Sequence, residues 1–519
     1  MDIYLDANAT TPVLPQARAA ALAAMAETFG NPSSIHGSGL RARELIDRVR
    51  ASARRVLQAP TGQMLFISGA TEGIHTAVLS ALAHLRARRE AGDKAPTLLL
   101  YGATEHKAVP AALKHWNQLF ALGLELLAIP VGRDGRHDLA WLTEHAPRAS
   151  LVCTMAANNE TGVISDLEGI ATALAHSPAL WLVDSVQALG KLPLRLAERP
   201  IDYAPFSGHK LYAPKGIGLL YVREGAPFTP LLTGGGQESA LRAGTENMAG
   251  IAALGAVLDA LEDDHTFHPT ATLHQHRQRL SHSLQEAFPG IVFNAPPDIC
   301  LPTTLNVSVP GVSSQTLQQL FDAAGVRVSG GSACGAAQAQ PSYVLEAMGL
   351  PAWQASGAIR LSFGAADRSE LVEQACARIR ACGASMRATG SVDDLELTAA
   401  QVLALRHHAP EALLVDVREG HEQRDSVDSP LEPGWACQSA PFSRLPEHLP
   451  RWLELPADVP VVFFCQSGKR GAQAARALRQ QGHAQAFSLR PAARPPAVAA
   501  APATPPRAPG DHPHGGPRG

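Results

Sequence analysis

The feature that most constrains this chain is a regular alternation in its first half. Short apolar runs at Met64–Ser68, Thr97–Tyr101, Leu151–Met155, Leu180–Val183 and Gly216–Val222 are separated by longer helical stretches such as Glu72–Arg89 and Asp166–His176. Apolar runs of four to eight residues between helices predict buried strands joined by crossovers, hence a parallel α/β sheet. A long Ala/Leu-rich helix is predicted over Glu246–Glu262. From residue 263 to 385 the pattern becomes α+β, with strands at Thr304–Val309 and Val326–Ser329 and a helix at Gln315–Ala324. The expected division is a large domain over 1–262 and a smaller one over 263–385.

Length demands more than this. At roughly 150 residues per domain, 519 residues predict about three to four units. A short polar stretch over 386–396 reads as a linker. Beyond it Thr398 fits a helix N-cap for Ala399–His407, with Gln401 at the reciprocal position of a capping box. Strands at Ala412–Val417 and Val461–Cys465 and a helix at Gly471–Gln480 complete a further α/β domain over 397–490. The tail over 491–519 is rich in Pro, Ala, Gly and Arg and predicts disorder.

Composition excludes some functions. A formal net charge of −3 gives no electrostatic basis for holding nucleic acid or an acidic membrane surface. No apolar run reaches bilayer-spanning length. Seven irregularly spaced cysteines argue against a disulfide framework and for reduced thiols, so a cytoplasmic location is expected. Neither a CxxC pair nor an HExxH helix appears, so no metal is expected.

The most informative stretch is Ser207-Gly-His-Lys210-Leu-Tyr-Ala-Pro-Lys-Gly. An amine can hold an aldehyde cofactor as a Schiff base, and Ser207 and His209 beside it can hydrogen-bond a phosphate. Asp184, just after an apolar strand, can face a protonated pyridine nitrogen and keep the ring an electron sink, with Gln187 three residues on. Read without the lysine motif, Asp184 is better explained as a helix cap. Gly69-Ala70-Thr71, a strand turning into a helix, offers backbone N–H groups to an anion. His106 follows another strand and can stack on a flat ring.

These segments carry a resemblance. Tyr4-Leu-Asp-Ala-Asn-Ala-Thr-Thr-Pro, Gly30-Asn-Pro-Ser-Ser, Gly69-Ala-Thr-Glu, Thr104-Glu-His, Asn158-Asn-Glu-Thr-Gly, Val183-Asp-Ser-Val-Gln, Ser207-Gly-His-Lys, Gly234-Gly-Gly-Gln-Glu and Arg242-Ala-Gly-Thr-Glu-Asn occur in the order found in NifS-like cysteine desulfurases of the class V aminotransferase type. The resemblance covers about residues 2–385. It implies the fold of type I pyridoxal-phosphate (PLP) transferases, a large parallel-sheet domain plus a small α+β domain. It implies that Lys210 carries pyridoxal 5'-phosphate, that His106 stacks on it and handles protons, and that Asp184 faces its pyridine nitrogen. Gln187 and Asn159 fall near its phenolic oxygen, and Ala70, Thr71, Ser207 and His209 hold its phosphate. Thr245 matches a residue reaching the phosphate from a partner subunit, so a homodimer is implied.

Cys334, in Val328-Ser-Gly-Gly-Ser-Ala-Cys334-Gly-Ala-Ala-Gln, is flanked on both sides by small residues that suit an accessible, swinging thiol. By resemblance it attacks the sulfur of L-cysteine and becomes a persulfide, while Asn159 and Arg360 bind substrate, the guanidinium holding its carboxylate. Another enzyme of the same fold, such as a selenocysteine lyase or an aminotransferase, remains open; dependence on Cys334 discriminates. Leu413-Leu-Val-Asp-Val-Arg-Glu and Val461-Val-Phe-Phe-Cys465-Gln-Ser-Gly-Lys-Arg470 resemble rhodanese motifs, making Cys465 a second sulfur-carrying thiol. The Gly-His-Ile-Pro-Gly-Ala turn usual after the first motif is absent. A sulfur-acceptor protein, for example an iron–sulfur scaffold, is the implied partner.

Overall fold

The structure is a computed structural model that describes residues 2–93, 96–263, 265–330, 341–388, 395–420, 422–423, 431 and 435–490. Two compact units are present, Met1–Gly390 and Ser391–Gly519.

The first unit is built on a seven-stranded sheet. Its spatial order is Gln63–Ile67, Gly218–Val222, Tyr203–Ser207, Leu180–Asp184, Ala149–Met155, Leu98–Gly102, Glu125–Ile129. The strands are short, apolar and largely buried on both faces, as a sheet covered by helices requires. One apolar cluster forms where the Gly37–Val56 and Met248–Glu262 helices pack, and another under the Ala70–Glu90 helix. Trp181 is fully buried and donates from Nε1 to Thr154 Oγ1 at 2.9 Å, so its indole contributes apolar burial, about 2 kcal/mol for a large side chain, without an orphaned polar atom.

The expectation of a parallel sheet needs one correction. Gly218–Val222 runs antiparallel to both neighbours, Gln63–Ile67 and Tyr203–Ser207. The connection from Ser207 to Gly218 is too short for a crossover, so the chain turns back as a hairpin. That hairpin loop is the segment that carries Lys210.

Helix starts follow local chemistry. Asn247 accepts from Gly250 N at 3.0 Å and Asp166 from Gly169 N at 2.9 Å, each satisfying an N–H left without an intrahelical partner.

Residues beyond 290 form an antiparallel sheet in the order Ser329–Gly330, Ile359–Ser362, Thr304–Ser308, Val292–Phe293, with its own apolar core. The strand expected over Val326–Ser329 is divided: Val326–Arg327 pairs with the N-terminal strand Ile3–Tyr4, and Ser329–Gly330 pairs with Ile359 and Arg360. The last helix of this unit, Ser369–Ala388, extends into the stretch read as linker.

The second unit has an all-parallel five-stranded sheet in the order Glu396–Leu397, Ala486–Leu489, Val461–Phe464, Leu413–Asp416, Cys437–Ser439. Its core holds Val402, Leu414, Trp435, Val462 and Phe464. Thr398 accepts from Gln401 N while Gln401 Oε1 accepts from Thr398 N, the capping box read from sequence. The predicted tail over 491–519 lies outside the described residues.

Candidate active site

Strand ends assemble the site. Asp184 ends one central strand, Ser207 ends the next, and the helix Ala70–Glu90 starts just past the edge strand Gln63–Ile67. Ligands of open α/β sheets bind at the carboxyl ends of the strands. Here those ends border a cavity of ≈ 530 Å³ lined by Ala70, Thr71, His106, Asn159, Asp184, Gln187, Ser207, His209, Lys210 and Arg360. Of the residues singled out in this unit, Thr245 is exposed and does not line the cavity. Cys334 lies outside the described residues.

The N-terminal segment joins the two halves of the site. Leu5 and Ala7 hydrogen-bond Ser362 on the strand that carries Arg360, and Thr11 N donates to His209 O at 2.9 Å. Between them Asn8 acts as a hub. Its carbonyl accepts from Lys210 Nζ at 2.7 Å and Gln187 Nε2 at 3.0 Å, while its Nδ2 donates to Thr304 Oγ1 at 2.9 Å and Asn159 O at 3.2 Å. The turn after Lys210 is fixed by Tyr212, held at φ 59°. Tyr212 N donates to Thr11 Oγ1 at 2.6 Å and its hydroxyl accepts from Ala366 N at 3.0 Å. A left-handed tyrosine persists only when its surroundings over-determine it, as they do here.

Electrostatics divide the cavity. Asp184 is buried, and burial raises its pKa against the pull of Val186 N, His106 and Lys210. A cation bound in the cavity would relieve that penalty, which is what a protonated pyridine ring supplies. His209 is pushed down to about 4 by burial, Lys210 and Lys215, so it is neutral at physiological pH. Arg360, 2% exposed, donates from Nη1 to Asn159 O at 2.8 Å and from Nη2 to Asp6 Oδ1 at 2.6 Å, and its buried Nε has no partner. Asn159 Oδ1 is likewise buried without a partner at the cavity wall. Buried polar atoms are rarely left unsatisfied, so such groups mark a place built for a ligand. The amine, the buried carboxylate, the uncapped start of a 21-residue helix and these donors together fit PLP.

Three residues received no role from sequence. Asn8 sat inside a quoted motif but carries no chemistry by type alone, and Lys191 lies four residues beyond the Val183–Gln187 motif. Glu160 is buried, accepts from Ser342 Oγ at 2.6 Å and is raised to about 7 by desolvation. Motif membership was the signal that could have found Asn8 and Glu160. Among the described residues no group of His, Cys, Asp and Glu could hold a metal, and no helix is long and apolar enough to cross a membrane.

In the second unit Cys465 follows the strand Val461–Phe464 and is buried. The chain then turns through Gly468, at φ 77°, into the helix Lys469–Gln480. Arg470 makes two bonds to Glu422, Nη1 to Oε2 at 2.5 Å and Nη2 to Oε1 at 2.7 Å. The anchored guanidinium is thereby kept within hydrogen-bond reach of the cysteine side chain. Much of the stretch lacking the usual turn, 424–430 and 432–434, lies outside the described residues.

Residues 3–374 match the aminotransferase class-V family, and residues 398–490 match the rhodanese-like domain. A protein named cysteine desulfurase from Cereibacter sphaeroides is 39% identical over 69% of this chain and 90% of its own length. Cysteine desulfurase NifS from Azotobacter vinelandii is 34% identical over 74% of this chain and 94% of its own. Among solved structures, a NifS-like protein aligns with a TM-score of 0.66 at 32% identity, covering 73% of this chain and 98% of that one. DndA from Streptomyces lividans aligns with a TM-score of 0.57 at 34% identity, covering 69% and 99%. Fold, cavity and comparisons agree: the chain belongs to the PLP-dependent class-V aminotransferase family and carries a rhodanese-like domain at its C-terminal end.

Proposed function

We propose that this chain is a cysteine desulfurase that converts L-cysteine to L-alanine, leaves the sulfur as a persulfide on Cys334, and relays it to Cys465. The observation that carries the reading is the meeting of Lys210, Asp184, His106 and Arg360, from separate elements, around one cavity.

Bound PLP supplies an electron sink for the substrate's α-carbon. Arg360 holds the substrate carboxylate, helped by the amide of Asn159, and so fixes which bond faces the ring. Lys210 takes the α-proton onto Nζ and returns it on the way to alanine. His106, which lines the cavity, would help hold the cofactor ring and handle the second proton. His209, Ser207, Ala70 and Thr71 would hold the cofactor phosphate. The Cys334 thiolate attacks the substrate sulfur: the carbon–sulfur bond breaks, a sulfur–sulfur bond forms, and alanine leaves, so the step balances with no outside oxidant. Cys465, beside the anchored cation of Arg470, is the proposed second carrier, and an iron–sulfur scaffold or similar acceptor takes the sulfur onward.

A homodimer in a reducing, cytoplasmic compartment belongs to the same proposal. Thr245 stands exposed, and the apolar side chains of Phe29 and Ile35 are 71% and 91% exposed, surfaces suited to a second copy. The test is purified protein given L-cysteine, with alanine and protein-bound sulfur measured. Alanine and sulfur in equal amounts, both lost in Cys334→Ala, are expected; alanine without sulfur transfer would overturn the proposal.

A further inference from the structure

Lys191 is the unexplained charge of the site. It follows Gln187 by four residues, in a turn segment, and does not line the cavity. Its Nζ donates to Gln187 Oε1 at 2.7 Å and to Asn8 Oδ1 at 3.3 Å. The charged groups acting on it are Lys210 and Arg360, both cations, with no carboxylate among them. Arg360 is itself neutralised by Asp6, and Asp184 faces Lys210 and His106 instead. An ammonium half-buried among cations, with no carboxylate acting on it, is costly and calls for a reason.

The reason lies in what it does to Gln187. An amide can present either its oxygen or its NH2 to a given neighbour, and its surroundings decide which. An ammonium has only donors, so it binds Oε1. The carbonyl of Asn8 has only lone pairs, so it binds Nε2, at 3.0 Å. Both constraints turn the amide the same way. Oε1 is then engaged by Lys191, and what Gln187 can offer the cavity is its remaining N–H.

We infer that Lys191 is a positioning residue that locks the Gln187 amide with a donor toward the cofactor and, through that donor and its own charge, tunes the cofactor's protonation. This rests on the reading of the cavity as a PLP site. Burial, then Lys210 and Arg360, lower the Lys191 pKa to about 7, so the lock is poised to weaken above neutrality.

The test is a pH titration of the visible absorption band of the holoenzyme, comparing the natural protein with Lys191→Met and Lys191→Gln. A donor and a positive charge near the ring both favour the deprotonated cofactor, which carries an uncompensated negative oxygen. Removing them in Lys191→Met should move the midpoint up by about one unit. Lys191→Gln, which keeps a donor, should move it the same way by less, and serves alone if Lys191→Met does not fold. In a Gln187→Leu background the same Lys191 changes should move the midpoint less than in the natural protein, because only the charge is left to act. A midpoint unmoved in a folded, cofactor-loaded Lys191 variant overturns the inference while leaving the PLP reading intact. A natural protein with no visible band overturns the PLP reading itself.

Discussion

The side-chain amine of Lys210 donates to the main-chain carbonyl of Asn8 at 2.7 Å, across 202 residues of sequence. One hydrogen bond thus ties the hairpin loop of the large sheet to the N-terminal segment, which runs on to the strand of Arg360. The distance between the amine and the guanidinium is therefore set by the strap between them. Catalytic geometry of this kind tolerates little displacement.

Arg360 tests the substrate end of that geometry. Arg360→Lys keeps a positive charge but loses the planar fork. A rise in the KM for cysteine, with kcat/KM falling about 10- to 100-fold, is expected from the loss of charge-assisted hydrogen bonds. Steady-state kinetics with alanine detection check it; an unchanged KM would remove Arg360 from carboxylate binding.

Glu160 gives a pH signature. Its pKa is raised by burial from 4.5 to about 7, so the folded state keeps a proton that the unfolded chain has lost. The stability it contributes is full below pH 4.5 and is lost as pH rises through about 7. Glu160→Gln, neutral throughout and still able to accept from Ser342, should flatten the decline in Tm across that window. Thermal melts of both proteins, compared pH by pH, measure it; identical slopes would count against a protonated Glu160.

Gly218 tests the packing of the hairpin. A Cβ there would lie 2.3 Å from Phe206 O and 3.0 Å from Gly69 Cα, both backbone atoms that cannot step aside cheaply. Gly218→Ala should cost about 1–3 kcal/mol as overpacking and weaken cofactor retention, because it pushes the Lys210 loop against the start of the Ala70–Glu90 helix. Denaturant melts and PLP content after dialysis are the readouts; wild-type values in both would refute the argument.

The relay is testable with sulfur-labelled cysteine. Label should appear on both Cys334 and Cys465 in the natural protein, only on Cys334 in Cys465→Ala, and on neither in Cys334→Ala. Peptide mapping under non-reducing conditions reads the pattern. Label on Cys465 in the absence of Cys334 would mean that the second unit acquires sulfur independently.

Much of this was legible in the chain because strand ends and site residues coincide. The apolar runs read to Met155 and Val183 mark two central strands, and Met155 and Asp184, where those strands end, line the cavity; the strand Tyr203–Ser207 was not among the runs read from sequence. Thr398 and Gln401 announced a capping box by residue type and spacing alone. The strand over Gly218–Val222 was legible, but its antiparallel direction was not, because an apolar run carries no sign of its direction. Asn8 and Lys191 were hidden for another reason. An amide or an amine acquires its role from neighbours that lie far off in sequence, here Gln187, Lys210 and Thr304 around one hub.

The central claim is that Lys210 bonds the cofactor in this cavity. Borohydride reduction of the holoenzyme, followed by proteolysis and mass mapping, tests it most directly. The account predicts a single pyridoxyl-modified peptide carrying the adduct on Lys210, absent in Lys210→Ala. An adduct on Lys191, Lys215 or any other lysine, or no adduct at all, would contradict it.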